Sequence, residues 1–199
     1  RGAEPLLAAE LTALGASAVQ PGAGGVAFAG EPAMGYRACL WLRTAARVLL
    51  PLSQFPATDA DALYQGVQAL DWSEHLVPDG TLWVDFVGTG GWLRHTRFGA
   101  QKVKDAIVDQ CRARTGQRPS VVRERPQLRL NLRFHQNQAT LAVDLAGEAL
   151  HRRGYRWQTG EAPLKEHLAA ALLLKVGWPA LAAAGAPLVD PMCGAGTLL

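Results

Sequence analysis

The chain closes on Asp190-Pro191-Met192-Cys193-Gly194-Ala195-Gly196-Thr197-Leu198-Leu199, and this run narrows the choice of folds more than any other. Leu188 and Val189 read as the end of a buried strand with Asp190 as its carboxyl-terminal acid, Gly194-Ala195-Gly196 as a tight turn, and Thr197 as the start of a helix. Strand, turn and helix in that order form the unit of an open α/β sheet, where ligands lie in the crevice beyond the strands' carboxyl ends. Glycine suits the turn because a side chain would hold the backbone away from a ligand, and because some turn positions need positive φ. Amides at the new helix's amino terminus then face an anionic or polar group. The same pattern also serves as an ordinary strand-to-helix junction, so the two glycines alone name no ligand. A dinucleotide fingerprint would need a third glycine at position 199, which is Leu199, and this counts against a nicotinamide or flavin site.

Charge is segregated along the chain. Residues 1–93 carry 4 Lys/Arg and 9 Asp/Glu, residues 94–133 carry 11 and 3, and residues 134–199 carry 5 of each. The middle block, net +8, hides inside an overall +3. A basic block of this kind is what a polyanion partner requires, since each cation placed on a phosphate releases counterions. It is also what a solvated helix face looks like, so charge by itself leaves both readings open.

At 199 residues and 49% apolar composition the chain has room for one large or two small globular domains. No segment approaches the roughly 18 uninterrupted apolar residues of a membrane span, and no signal peptide is visible, so a cytoplasmic protein is the expectation. Cys39, Cys111 and Cys193 are odd in number and widely spaced, which suggests neither a disulfide framework nor a metal site. The first residue is Arg1, directly before a helical pattern, and both ends read as cut.

Periodicity sets out the elements. Helical stripes are expected at 4–14, 31–42, 59–70, 100–114 and about 162–176. Short strands are expected near 19 and at 25–29, with further strands at 47–52, 82–87, 128–134 and 139–144, the last two joined as a hairpin around Gln136-Asn137. In 128–134 the residues Arg129, Asn131 and Arg133 alternate with Leu128, Leu130, Leu132 and Phe134, so period two gathers the polar side chains on the face opposite the apolar ones. The 47–52 strand should have an exposed edge near Pro51. Residues 151–156 read as a connector.

The terminal string Asp-Pro-Met-Cys-Gly-Ala-Gly-Thr-Leu-Leu resembles the first cofactor motif of the S-adenosylmethionine-dependent methyltransferases that modify guanine amino groups in RNA. Carried over residue by residue, the resemblance implies cofactor contacts at Asp190, Pro191, Cys193, Gly194, Ala195, Gly196 and Thr197, with Asp190 beneath the cofactor's amino group. Many relatives have serine where this chain has Ala195, an exchange of one small residue for another. Residues 99–109 and the hairpin after them resemble the THUMP domain, an RNA-binding module. Together with 151–156, 162–166 and the terminal motif, they make essentially the whole chain similar to the bacterial 23S rRNA guanine-N2 methyltransferase family, as its amino-terminal part.

That resemblance implies an α+β protein: a ferredoxin-like amino-terminal unit at 1–56, a THUMP domain at 57–150, a linker at 151–163 and the start of a Rossmann-like methyltransferase domain at 164–199. It implies S-adenosylmethionine as cofactor, 23S rRNA as partner, and neither metal nor membrane. Glu166 matches a stretch that lies beside the cofactor in relatives. Arg94, Arg97, Lys102, Lys104, Arg123 and Arg125 are the expected phosphate contacts, with Arg152, Arg153 and Arg156 near the junction as further candidates. His95, between two of these arginines, suits a phosphate as well. Tyr155 and Trp157 suit either stacking on an unpaired base or packing of the connector. The family's Asn/Asp-Pro-Pro-aromatic catalytic motif has no counterpart, because Asn131 and Asn137 lack a following proline and Asp190-Pro191 continues with Met192. The 199 residues are therefore expected to bind RNA without methylating it. A stand-alone THUMP adaptor and a tRNA base-modifying THUMP enzyme are the alternative readings.

Overall fold

The computed structural model describes residues 2–155 and 163–199. In chain order the elements are α1 (Glu4–Ala13), β1 (Ser17–Gly22), β2 (Gly25–Ala29), α2 (Pro32–Trp41), β3 (Leu49–Pro56), α3 (Ala60–Gln68), β4 (Thr81–Val87), α4 (Thr96–Thr115), β5 (Ser120–Val121), β6 (Leu128–His135), β7 (Gln138–Asp144), α5 (Glu166–Lys175) and α6 (Trp178–Ala183), with a 3-10 turn at Trp72–Glu74. They fall into two compact units, one made of Arg1–Val48 with Glu148–Leu199 and the other of Leu49–Gly147.

In the second unit five strands lie in the order β3-β7-β6-β4-β5. Pairs β3/β7 and β7/β6 are antiparallel, whereas β6/β4 and β4/β5 are parallel. The hairpin falls where the sequence places it: Gln136 and Asn137 both have positive φ, 48° and 58°, the conformation a two-residue hairpin needs to match strand twist. Along β6, Leu128, Leu130, Leu132 and Phe134 are buried while Arg129 and Asn131 are half-buried and Arg133 and His135 exposed. That alternation is the sheet's division into a covered and an open face. On the covered side Leu63 and Val67 of α3 and Val103, Ala106 and Ile107 of α4, all fully buried, meet Leu82, Leu130, Leu132 and Leu141. At roughly 1.5–3 kcal/mol for each large side chain removed from water, this layer dominates the unit's stability.

Polar groups are placed to let that layer close. Asp59 caps α3, its Oδ1 accepting from the amides of Asp61 at 3.0 Å and Ala62 at 2.7 Å, a contribution of about 1 kcal/mol. Gln110 sits on the apolar face of α4, and its carboxamide explains why: Nε2 donates to the carbonyls of Gln68 and Leu70 at 2.8 Å each, and Oε1 accepts from the Trp72 amide at 2.9 Å. The orphan carbonyls at the end of α3 are thereby satisfied inside the core. Helix α4 starts four residues earlier than its periodicity suggests and ends, as expected, at a left-handed Gly116.

Two expectations are corrected here. The strand read at 47–52 as part of the amino-terminal unit is β3, which pairs with β7 and so belongs to the second unit's sheet. A boundary after residue 56 would cut the sheet; the break lies at Val48/Leu49. β5, only two residues long, carries too little pattern to read in advance.

The first unit holds α1, the antiparallel pair β1/β2, α2, and the later helices α5 and α6. Glu10 of α1 fastens the segment after α2, its carboxylate accepting from Arg43 Nε at 2.9 Å, Thr44 Oγ1 at 2.6 Å and the Thr44 amide at 3.0 Å. Leu11, Met34, Ala38 and Leu42 form the buried side. The strand expected at 188–190 and the helix expected from Thr197 are not formed, and Val189 is 78% exposed. Extended backbone becomes a strand only by pairing its amides and carbonyls with a neighbour, and among the described residues the only strands of this unit, β1 and β2, pair with each other.

Candidate functional site

Two regions gather the residues expected to act. The first is the terminal turn. Gly194 and Gly196 adopt φ of +52° and +70°, and a β-carbon at either would meet nothing within 4 Å. Glycine is thus required there by backbone conformation rather than by crowding. The turn is held by its own bonds, with the Asp190 carboxylate accepting from the Met192 amide at 3.0 Å and the Gly196 amide donating to the Cys193 carbonyl at 2.8 Å. Pro191, Cys193 and Ala195 are exposed and Thr197 half-buried.

Beside the turn a cleft of about 220 Å³ is lined by Tyr155, Glu166, Ala169, Leu173, Thr197 and Leu198, among others. Glu166, 8% exposed, is the acid of this cleft. Its Oε2 accepts from the Arg153 amide at 3.0 Å. Burial, then the neighbouring charges of His151 and Lys165, pushes His167 below the usual imidazole range. The cleft therefore combines a carboxylate with a neighbouring turn whose backbone is uncovered by side chains at Gly194 and Gly196, features that suit a cationic amino group. Tyr155 stands in its wall, whereas Trp157 and Arg156 lie outside the described residues.

Arg153 is occupied. Its guanidinium donates to the carbonyls of Cys39, Leu40 and Leu42 at 3.1, 3.2 and 2.7 Å, closing the carboxyl-terminal end of α2, where cations are favoured. Arg152 next to it is exposed.

The second region is the basic block. Arg94 and Arg97 are exposed, with no hydrogen bond or ion pair from either side chain among the described residues. They flank His95 at the first turn of α4, whose amide dipoles add positive potential rather than offsetting it. Lys102 lies over the Tyr64 ring, 5.9 Å from its centroid, and Lys104 is ion-paired with Asp105. Arg123 lies over the Trp83 ring at 5.9 Å, and Arg125 sits exposed in the following bend with φ of +49°.

These residues do not form one cluster. Strands β4 and β6 are parallel, with Leu82 opposite Leu128 and Val87 opposite Arg133. The segment bearing Arg94 and Arg97 leaves β4 at its far end, while the segment bearing Arg123 and Arg125 enters β6 at its near end. A strand of this length puts roughly 20 Å between the two sets. Sequence reasoning did not include Arg133, the exposed arginine at the Arg94 end, among the contacts, although the alternation in β6 singles it out. Among the described residues no group of His, Cys, Asp or Glu could hold a metal ion, and no helix is long and apolar enough to cross a membrane.

Comparison with known proteins bears on both regions. Family models match in chain order: the RlmL ferredoxin-like domain over residues 1–49, the THUMP domain over 57–144, and the RMKL-like methyltransferase domain over 153–199. A curated relative from Magnetococcus marinus, ribosomal RNA large subunit methyltransferase K/L, is 54% identical over 198 residues, covering 100% of this chain and 27% of its own length. The chain thus spans about a quarter of the length of such relatives. A crystal structure of a predicted N6-adenine-specific DNA methylase from Listeria monocytogenes superimposes with a TM-score of 0.82 at 33% identity, covering 99% of this chain and 50% of that one. SMU.472, assigned provisionally as a methyltransferase and crystallised with SAH, gives 0.80 at 32% identity, with 99% and 51% covered.

Proposed function

Since this chain belongs to the ribosomal RNA large subunit methyltransferase K/L family, of which it spans about a quarter, we propose that it is the RNA-delivering part of an enzyme that methylates the N2 amino group of a guanine in 23S rRNA. The observation that carries the reading is the unbroken order of ferredoxin-like, THUMP and methyltransferase matches along the chain. The electrostatics agree, because Arg94 and Arg97 stand free of acid partners on a surface suited to phosphates.

In this reading the methyl donor is S-adenosylmethionine, which supplies an electrophilic methyl group when bound. The residues of this chain fit one part of it. Glu166, buried in the cleft wall, and Asp190 at the head of the turn are the acids that would attract the donor's ammonium group, while Gly194, Ala195 and Gly196 would let the backbone approach, and Pro191, Cys193 and Thr197 would shape the turn. A cleft of about 220 Å³ falls short of the roughly 300–1,000 Å³ of pockets that enclose a whole ligand, so in this reading these residues would hold only part of the donor. Phosphate contacts on the second unit position the RNA without reading bases, and the target guanine must leave its stack to be reached.

The test is nucleoside analysis of 23S rRNA from cells lacking the gene, incubated with the complete gene product and S-adenosylmethionine. New N2-methylguanosine is the expected result. Methylated adenine instead, the chemistry named for the Listeria structure, would overturn the guanine assignment, and no methylated nucleoside would overturn the enzymatic reading.

A further inference from the structure

We propose that the open face of the second unit's sheet carries a cleft that holds one unpaired RNA nucleotide, its phosphate on Arg133 and its base edge on glutamine amides. The inference rests on the RNA-binding reading above and adds a site within it.

Strand register builds the cleft. Gln54 of β3 stands opposite Thr140 of β7, and Thr140 opposite Arg133 of β6, so three strands contribute one row. Two residues further on, His135 stands opposite Gln138. The intervening Phe134, Ala139 and Leu141 are buried in the core, and since strand side chains alternate, both rows project from the open face. Gln136, in the hairpin turn, completes the lining of a cavity of about 380 Å³. That is within the range of small-ligand sites and too small for a duplex.

The chemistry of the lining is selective. It has one guanidinium, one imidazole, three carboxamides and one hydroxyl, and no carboxylate. None of the six side chains has a hydrogen bond or ion pair within the protein among the described residues. Carboxamides donate and accept, as base edges do, and an unpartnered arginine suits a phosphate oxygen. Nearer the start of β6, Arg129 is instead bound to Asp85, at 2.7 Å. Toward the hairpin end of the open face the cation left without an acid partner among the described residues is thus Arg133, while Arg123 lies toward the other end, over the Trp83 ring.

The rim is rigid. The Asn137 carbonyl accepts from the Ala57 amide at 2.8 Å, and Asn137 Oδ1 is packed so closely over Gly91 that a β-carbon there would come within 2.9 Å. A pre-formed cleft avoids the entropy cost of ordering its walls on binding. Its end of the sheet is also the end from which the Arg94 and Arg97 segment departs, since Val87 lies opposite Arg133. A strand held by those arginines has a nucleotide-sized cavity close by.

The experiment measures affinity of the complete gene product for a short, unstructured single-stranded RNA and for a blunt RNA duplex of equal length, by fluorescence anisotropy. Arg133→Ala is expected to weaken single-strand binding about tenfold, as loss of a charge-assisted contact does. Gln54→Ala and Gln138→Ala should each weaken it about threefold, with duplex affinity changing less in every case. All these side chains are exposed, and far-UV circular dichroism confirms folding. Wild-type affinity in the three variants, or equal losses for single strand and duplex, would overturn the cleft while leaving RNA binding intact. Failure of the unsubstituted protein to bind either RNA would overturn both readings.

Discussion

Arg129 Nε donates to Asp85 Oδ2 at 2.7 Å across two adjacent parallel strands, so one of the two arginines on the open face of β6 is neutralised while Arg133 is not. Asp85→Asn removes the charge and keeps an oxygen for the Trp83 Nε1 donor, 2.9 Å away in the native protein. The expected outcome is tighter RNA binding and a salt dependence steeper by about 0.7 in log K against log salt for a single strand. An unchanged slope would show that RNA does not cross this face.

Charge reversal of both Arg94 and Arg97, exposed at the start of α4, should weaken RNA binding and flatten its salt dependence. Removing two phosphate contacts lowers the slope by roughly 1.4 for single-stranded RNA. Titration across a salt series reads both effects. Parallel lines for variant and native protein would remove this surface from the RNA path.

Arg153 gives the opposite expectation. Its guanidinium holds three carbonyls at the end of α2, so Arg153→Ala should lower the stability of the first unit by about 1–2 kcal/mol with RNA affinity unchanged. Chemical denaturation paired with the same RNA titration separates the roles. A loss of affinity without a loss of stability would return Arg153 to the set of RNA contacts.

Asp71 sets a pH dependence. Hydrogen bonds from the Ser73 hydroxyl, Arg114 and the Ser73 amide lower its pKa from 3.8 to about 2. Because the folded value is the depressed one, the stabilisation is present above the unfolded value and is lost as pH falls from about 4 toward about 2. Asp71→Asn should therefore reduce the denaturation midpoint near neutrality and converge with the native protein at the acid end. A constant difference across that window would exclude Asp71 as the titrating group.

Local patterns with strong physical signatures could be read from the residues. The β6–β7 hairpin was legible because strict alternation meets two turn residues tolerant of positive φ, and α4 because its stripe ends at a glycine. What could not be read depended on partners distant in sequence. Residues 47–52 look the same whether β3 pairs in the first unit or with β7 some ninety residues on, and only the sheet decides. Residues 188–190 have a strand's composition without a strand's neighbour. The same limit applies to the sites: Arg133 was visible as one of an alternating set, but Gln54 reaches the cleft only through register with Thr140. Arg153 reads as a basic connector residue until the carbonyls it binds are known.

The outer strand β3 carries Pro51 and Pro56, which have no amide hydrogen, and its register slips between Pro51 and Ser53. At the opposite border β5 offers only two residues. Both borders are thus poor templates for a further strand. The second unit should resist joining edge to edge with its own copies, and so accumulate without polymerising.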